Sequence, residues 1–240
     1  MNQEQNNKVA VVTGAGKGIG RAIAIALAKQ GMDVVLGART QKDLEKVAKE
    51  IESLGRKALP VMCDVTKEKD VSNLISVAAS TFSTIDLLVN NAGMGIFAPA
   101  DEMSVADFDT MWNTNMRGTF LATKFALPYM KQQMSGDIIN IASLAGRNAF
   151  KGGSGYSATK WAMIGFARSV LLEVRDFNIR VITICPGSVD TEFSPTMHKN
   201  KDTSRVPKAE DIAQIVVDAI NMPRHVMVSE IDVRPTNPNW

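Results

Sequence analysis

The 240 residues hold two cysteines, Cys63 and Cys185, and two histidines, His198 and His225. Each cysteine closes an apolar run, beside Met62 and Ile184, and the two lie far apart in sequence. That suits buried thiols in a reducing cytoplasm and argues against a disulfide framework. The histidines stand alone without ligand spacing, so neither a metal site nor His-based catalysis is expected. No run of about eighteen apolar residues occurs, which excludes a predicted membrane span. Met1 to Lys8 is polar and Asn/Gln-rich, unlike a signal peptide. The net charge of +2 gives no ground for nucleic acid or a membrane surface as partner. Repeats, low-complexity tracts and linkers are missing too. With 45% hydrophobic and 22% charged residues, the chain has the composition of a soluble protein with a substantial core. One domain over 1–240 is expected.

What is present is an alternation of strand and helix. Short β-branched runs predict strands at Val9–Thr13, Asp33–Ala38, Lys57–Met62, Leu87–Asn90, Gly136–Ile141, Arg180–Cys185 and Val226–Val233. Helical periodicity predicts helices at Gly18–Gln30, Gln41–Leu54, Glu68–Phe82, Val105–Met134, Ser154–Asp176 and Lys208–Ala219. Thr40-x-x-Asp43 and Ser104-x-x-Asp107 read as capping boxes. The alternation predicts an α/β fold, a doubly wound (Rossmann) sheet of about seven parallel strands with helices on both faces. Ser188 to Pro207 is polar, carries Pro195 and lacks periodicity, so it is predicted to be a substrate lid.

Tyr156 and Lys160 are four residues apart, with Ser143 upstream. On a helix that spacing puts phenol and ammonium on one face. A nearby cation favours phenolate, so Lys160 is expected to lower the Tyr156 pKa from its ordinary value near 10. A tyrosine shifted toward neutrality can exchange a proton with a carbonyl or alcohol oxygen.

The first predicted strand runs into Thr13-Gly14-Ala15-Gly16-Lys17-Gly18-Ile19-Gly20, and an Ala-rich helix follows. Strand, glycine loop, helix and strand together form a dinucleotide fingerprint. The glycines let backbone approach a pyrophosphate, and the helix N-terminus offers free N–H groups. A site for a ribose 2′-hydroxyl usually has Asp or Glu at the end of the second strand. Here Gly37-Ala38-Arg39-Thr40 has none. Arg39 and Lys17 instead suit a 2′-phosphate, which needs charge-assisted donors.

These motifs resemble the short-chain dehydrogenase/reductase family in its classical branch. The matching pieces are Thr13-Gly14-x-x-x-Gly18-x-Gly20, Asp64-Val65, Asn90-Asn91-Ala92-Gly93, Asn115, Ser143, Tyr156-x-x-x-Lys160 and Pro186-Gly187, in the family's order. The resemblance implies NADP(H) as cofactor and a Rossmann domain. It implies Tyr156 as acid/base, Ser143 polarising the carbonyl, Asn115 in a proton relay, and Lys160 also bonding the nicotinamide ribose. The implied cofactor contacts are Gly14, Lys17, Gly18, Ile19, Gly20, Arg39, Asp64 at the adenine amino group, Val65, Asn91, Ala92, Gly93, Tyr156, Lys160, Pro186, Gly187, Val189 and Thr191. It also implies a homo-oligomer, a tetramer packed through Val105–Met134 and Ser154–Asp176.

Candidate walls for a substrate are Met94, Ile96, Phe97, Arg147, Phe150, Phe193 and Met197, mostly apolar. The body is similar to 3-oxoacyl-carrier-protein reductases. The tail Glu230-Ile231-Asp232-Val233-Arg234-Pro235-Thr236 is similar instead to carbonyl reductases of the sepiapterin-reductase kind. Met134 and Phe177 stand where carrier-protein reductases often have basic residues. The expectation is an NADPH-dependent reductase of a ketone or aldehyde acting on a free small molecule. The alternatives are a 3-oxoacyl-carrier-protein reductase and a non-catalytic dinucleotide-binding regulator.

Overall fold

A computed structural model describes residues 7–193 and 205–237. Its seven strands are β1 (Val9–Thr13), β2 (Asp33–Ala38), β3 (Ala58–Met62), β4 (Leu87–Asn90), β5 (Gly136–Ile141), β6 (Ile179–Pro186) and β7 (Glu230–Val233). The helices are α1 (Gly18–Lys29), α2 (Gln41–Ser53), α3 (Glu68–Phe82), α4 (Val105–Met111), α5 (Gly118–Gln133), α6 (Ser154–Val174) and α7 (Ala209–Asn221). The strands pair in the order β3-β2-β1-β4-β5-β6-β7, and every pairing is parallel.

Alternate residues of each strand feed two cores, because side chains on a strand point to opposite faces. Ala10, Val12, Val34, Leu36, Ile139 and Ile182 pack with α1, α2 and α7. Val9, Val11, Val35, Leu88, Ile138 and Val181 pack with α3, α5 and α6. Burial on both faces explains why the strands read as continuous apolar runs. Strand order reverses between β1 and β4, and a doubly wound sheet opens its ligand crevice at such a switch point.

Beyond shifts of one or two residues at element ends, three features differ from the sequence expectation. The helix predicted over Val105–Met134 is broken by a π-helical turn at Trp112–Arg117, between α4 and α5. The last strand starts at Glu230 because Val226 is held in a turn; its N–H donates to Pro223 O at 2.7 Å and its carbonyl accepts from Arg180 at 3.3 Å. Thr40 stands at the N-cap of α2 but its side chain makes no capping bond. The Ser104 cap does form: its Oγ accepts from Asp107 N at 3.0 Å. Residues 194–204, with Pro195 and Met197 and most of the expected lid, lie outside the described residues. Among the described residues no helix is long and apolar enough to cross a membrane.

Candidate active site

The C-terminal ends of the strands enclose a cavity of about 530 Å³, a size typical of small-molecule sites. Its first wall is the glycine loop. Gly14 takes φ +65°, and a Cβ there would fall 2.9 Å from Ala92 Cα. A Cβ on Gly20 would fall 2.3 Å from the Gly14 oxygen and 2.4 Å from Asn91 Nδ2. The loop is therefore pressed against the end of β4. Asn91 Nδ2 donates to Thr13 O at 3.0 Å and to Gly14 O at 3.3 Å. Thr13 Oγ1 accepts from Asn91 N at 3.0 Å and Ala92 N at 3.1 Å. Gly14, Gly16, Gly18 and Ile19 line the cavity, while Gly20 lies behind the loop as the seat that lets it fold back.

At the far end stand Lys17, Arg39, Asp64 and Val65. Lys17 is paired with Glu192 at 3.6 Å, both largely exposed. Asp43 also reaches this end; a Cβ on Gly16 would come 3.2 Å from its Cβ. Thr66 N and Oγ1 both donate to Asp64 Oδ1, at 3.0 and 2.8 Å. Burial opposes the Asp64 charge, but the Thr66 bonds, with Lys67 and Arg39 nearby, hold its carboxyl below the ordinary range. Asp64 Oδ2 is left for another donor.

At the near end, α6 brings Tyr156 and Lys160 to the cavity, and the end of β5 brings Ser143. Ser143 opens a 3₁₀ turn, Leu144–Gly146, with its Oγ accepting from Ala145 N at 3.1 Å. Lys160 Nζ donates to Ile141 O at 3.0 Å and lies 5.8 Å from the centroid of the Tyr156 ring. Burial pulls its pKa down to about 8. Burial pushes the Tyr156 phenol up to about 12, against a hydrogen bond from Ser143 that pulls it down. The expected direction was downward through Lys160; in the ligand-free chain burial sets the direction upward, and the Ser143 bond is what opposes it. Asn115 is fully buried and does not line the cavity. Its Oδ1 accepts from Met94 N at 2.8 Å, and its Nδ2 donates to Met94 O at 2.9 Å and Thr159 Oγ1 at 3.0 Å. It ties the β4 exit to the helix that carries Tyr156.

Pro186, Gly187, Val189 and Thr191 close the cavity on the β6 side, and Asn91, Ala92 and Gly93 on the β4 side. Phe97 meets the Tyr156 ring edge-on, with centroids 5.5 Å apart. Phe193 lies 6.0 Å from the same ring, and Phe150 lies 5.8 Å from Phe97. Met94 lines the space with them. Two expected walls are elsewhere. Ile96 packs behind, its N–H donating to Met111 Sδ at 3.2 Å. Arg147 turns away to Glu230 and Asp232. Asp43, Asn148 and Glu192 line the cavity without having been expected there. Asp43 was hidden by its resemblance to a capping residue; Asn148 and Glu192 carry no local motif.

A model of the short chain dehydrogenase family matches residues 8–202. An uncharacterised oxidoreductase of Staphylococcus aureus is 39% identical over 229 residues, covering 95% of this chain and 97% of that protein. An alcohol dehydrogenase from the archaeon Thermococcus sibiricus, solved with 5-hydroxy-NADP, has a TM-score of 0.89 at 32% identity, covering 97% of this chain and 99% of its own. Actinorhodin polyketide ketoreductase with NADPH has a TM-score of 0.91 at 28% identity, covering 98% and 99%. The family match runs through the glycine loop, Ser143, Tyr156 and Lys160 alike, and the chain is an oxidoreductase of the short-chain dehydrogenase family.

Proposed function

We propose that this oxidoreductase uses NADPH to reduce the ketone or aldehyde carbonyl of a neutral, apolar small molecule. The observation that carries the reading is the meeting of Ser143, Tyr156 and Lys160 in a cavity whose other end is the glycine loop. The residues fit the cofactor. The loop offers backbone with no Cβ in the way, at the N-terminus of the twelve-residue α1. Arg39 and Lys17 suit a 2′-phosphate, and Asp64 Oδ2 suits an adenine amino group. Two structural neighbours solved with an NADP species support the same cofactor.

A bound nicotinamide supplies the hydride. The chain's own groups handle the oxygen. Ser143 donates a hydrogen bond to the carbonyl oxygen as charge develops on it. Tyr156, held protonated at neutral pH by its burial, gives that oxygen a proton. Lys160, still mostly charged at neutral pH, would hold the nicotinamide ribose beside the Tyr156 ring. Asn115 keeps the Met94 backbone against α6, beside Lys160: a Cβ on Gly93 would lie 3.3 Å from Asn115 Oδ1 and 3.6 Å from Lys160 Nζ. Phe97, Phe150 and Phe193 keep water from the reacting oxygen and favour an apolar substrate. Val105, Trp112, Phe120, Trp161 and Leu172 leave apolar surface exposed on and around α4, α5 and α6, which supports packing between copies of the chain.

The test is a panel of ketones, diketones and aldehydes followed by NADPH absorbance. At least one neutral apolar compound is reduced. Tyr156→Phe lowers kcat by about 10²-fold or more while NADPH still binds. No NADPH oxidation with any compound, or full turnover in Tyr156→Phe, refutes the reading.

A further inference from the structure

Glu230 is the first residue of β7 and touches nothing in the cavity. It nonetheless joins the two pieces of chain that carry the reacting groups. Arg147 closes the 3₁₀ turn that Ser143 opens. Its Nη2 pairs with Glu230 Oε2, and its Nε donates to Asp232 Oδ1 at 3.2 Å. Residues 230 and 232 share one face of the strand, so a single guanidinium reads both. Arg168 comes from α6, one turn beyond Ile164. It grips Glu230 with two bonds, Nε to Oε1 at 2.7 Å and Nη2 to Oε2 at 3.1 Å. Two-point arginine–carboxylate pairs fix geometry as well as charge. The turn lies directly on α6: a Cβ on Gly146 would fall 2.9 Å from Lys160 O and 2.7 Å from Ile164 Cδ1. β7 is in turn registered on β6, with Glu230 opposite Thr183 and Val233 opposite Pro186.

We propose that Glu230 is a positioning residue for the active site: by gripping Arg147 and Arg168 at once, it holds the Ser143 turn against the helix that carries Tyr156 and Lys160. The inference rests on the reading of those three residues as the reacting groups. The clamp has a built-in asymmetry. Arg168 places both its bonds on Glu230, while Arg147 divides its bonds between Glu230 and Asp232. The bonds from Arg168 first, and then those of Arg147, hold the Glu230 carboxyl down at about 2, so the clamp stays charged across the working pH range. Without the carboxylate Arg168 loses the partner of both its bonds, while Arg147 keeps Asp232. Loss of Glu230 therefore frees α6 from β7 and leaves two like charges at the junction, which weakens the hold of the turn on the helix. Loss of Arg147 only loosens it.

The chain has two tyrosines, Tyr129 and Tyr156, which allows a direct readout. Both are replaced by 3-fluorotyrosine, whose fluorine lowers the phenol titration into a range the fold tolerates. The two 19F resonances are assigned with Tyr129→Phe and titrated in the ligand-free protein. Ser143 holds the Tyr156 pKa down, so a displaced turn raises it. In Glu230→Gln the Tyr156 midpoint moves up and the Tyr129 midpoint stays. Glu230→Asp returns part of the shift. Arg147→Met shifts less than Glu230→Gln, and the double variant shifts no more than Arg147→Met alone. In turnover, Glu230→Gln lowers kcat by about 10- to 100-fold with NADPH affinity unchanged. A folded Glu230→Gln with only a lower Tm and the wild-type Tyr156 midpoint would make Glu230 a structural staple and overturn the proposal, as would additive shifts in the double variant. Should Glu230→Gln fail to fold, Arg168→Gln cuts the more exposed arm and, like Arg147→Met, raises the Tyr156 midpoint by a smaller step; an unchanged midpoint overturns the proposal. If the wild type reduces no carbonyl, the proposed function fails, while the fluorine titration still decides the role of Glu230.

Discussion

Replacing Lys160 with methionine should make the ligand-free protein inactive and more stable. Lys160 is 4% exposed. Its ammonium has three protons to place and, among the described residues, donates to the Ile141 carbonyl. Burial therefore lowers its pKa from 10.5 to about 8. Between those two values the unfolded chain binds a proton that the folded chain has released. Stability then rises with pH through that window, and below it the whole penalty stands. A drop of about 2.5 units at 1.36 kcal/mol each is about 3 kcal/mol. Methionine has a similar shape and no charge to bury. It gives up the bond to Ile141, worth about 1 kcal/mol net. The expected gain at neutral pH is about 2 kcal/mol, or roughly 4–8 °C in Tm for a chain of this size.

Urea unfolding of both proteins without ligand, at one protein concentration, measures the gap. It should be about 2 kcal/mol at pH 7 and should close almost fully by about pH 9.5. Cys63 and Tyr156, each pushed up to about 12 by burial, weaken the fold at alkaline pH, but they do so in both proteins and cancel in the difference. A Lys160→Met protein less stable than wild type at pH 7, or a gap that does not change with pH, would refute the argument. The stabilised, inactive variant would show that the fold carries a buried charge for chemistry and not for stability.

Ala38→Asp with Arg39→Ser should move the kcat/KM ratio from NADPH toward NADH by about 10- to 100-fold, since a charge-assisted bond is worth about 1.5–3 kcal/mol. Equal use of both cofactors by the unmodified chain would remove Arg39 and Lys17 from the phosphate site. A free diketone should have a higher kcat/KM than a carrier-linked 3-oxoacyl chain. Met134 is exposed at the end of α5 and Phe177 carries the Lys131 ammonium 4.8 Å over its ring, so neither position itself offers the basic side chain that would draw an acidic carrier. Preference for the carrier-linked chain by orders of magnitude would overturn the free-substrate reading.

The parts of this molecule that were legible in its sequence are those encoded by local spacing. β1, β2, β4 and β5 fall where their apolar runs end. The glycine loop and Tyr156-x-x-x-Lys160 announce themselves because each is one turn of chain. Arg147 was not legible, because what aims it, Glu230 and Asp232, lies more than eighty positions away. The pKa direction of Tyr156 was not legible either. Spacing shows that Lys160 is a neighbour, but the burial that raises the phenol is a property of the packed cavity. Asp43 was misread for a related reason: Thr-x-x-Asp has the form of a cap, yet the nearer demand on Asp43 is the approach of the glycine loop.

The break in the helix predicted over Val105–Met134 follows the same logic one step further. Nothing in Trp112-Asn113-Thr114-Asn115-Met116-Arg117 forbids an α-helix; there is no proline or glycine among them. A π turn adds one residue to the helical repeat, and such turns gather at functional sites. Here the extra residue rotates the helix between a face that must bury Met111 and a face that must bury Leu121 and Ala122. Asn115 lies in the added turn, fully buried, with its amide group clamped on Met94 and Thr159. Three bonds satisfy that buried amide within the π turn. Thr159 Oγ1, which accepts one of them, donates in turn to Tyr156 O at 2.8 Å. The irregular turn and the start of the helix that carries Tyr156 are thereby one hydrogen-bonded unit, so the π turn belongs to the architecture of the cavity.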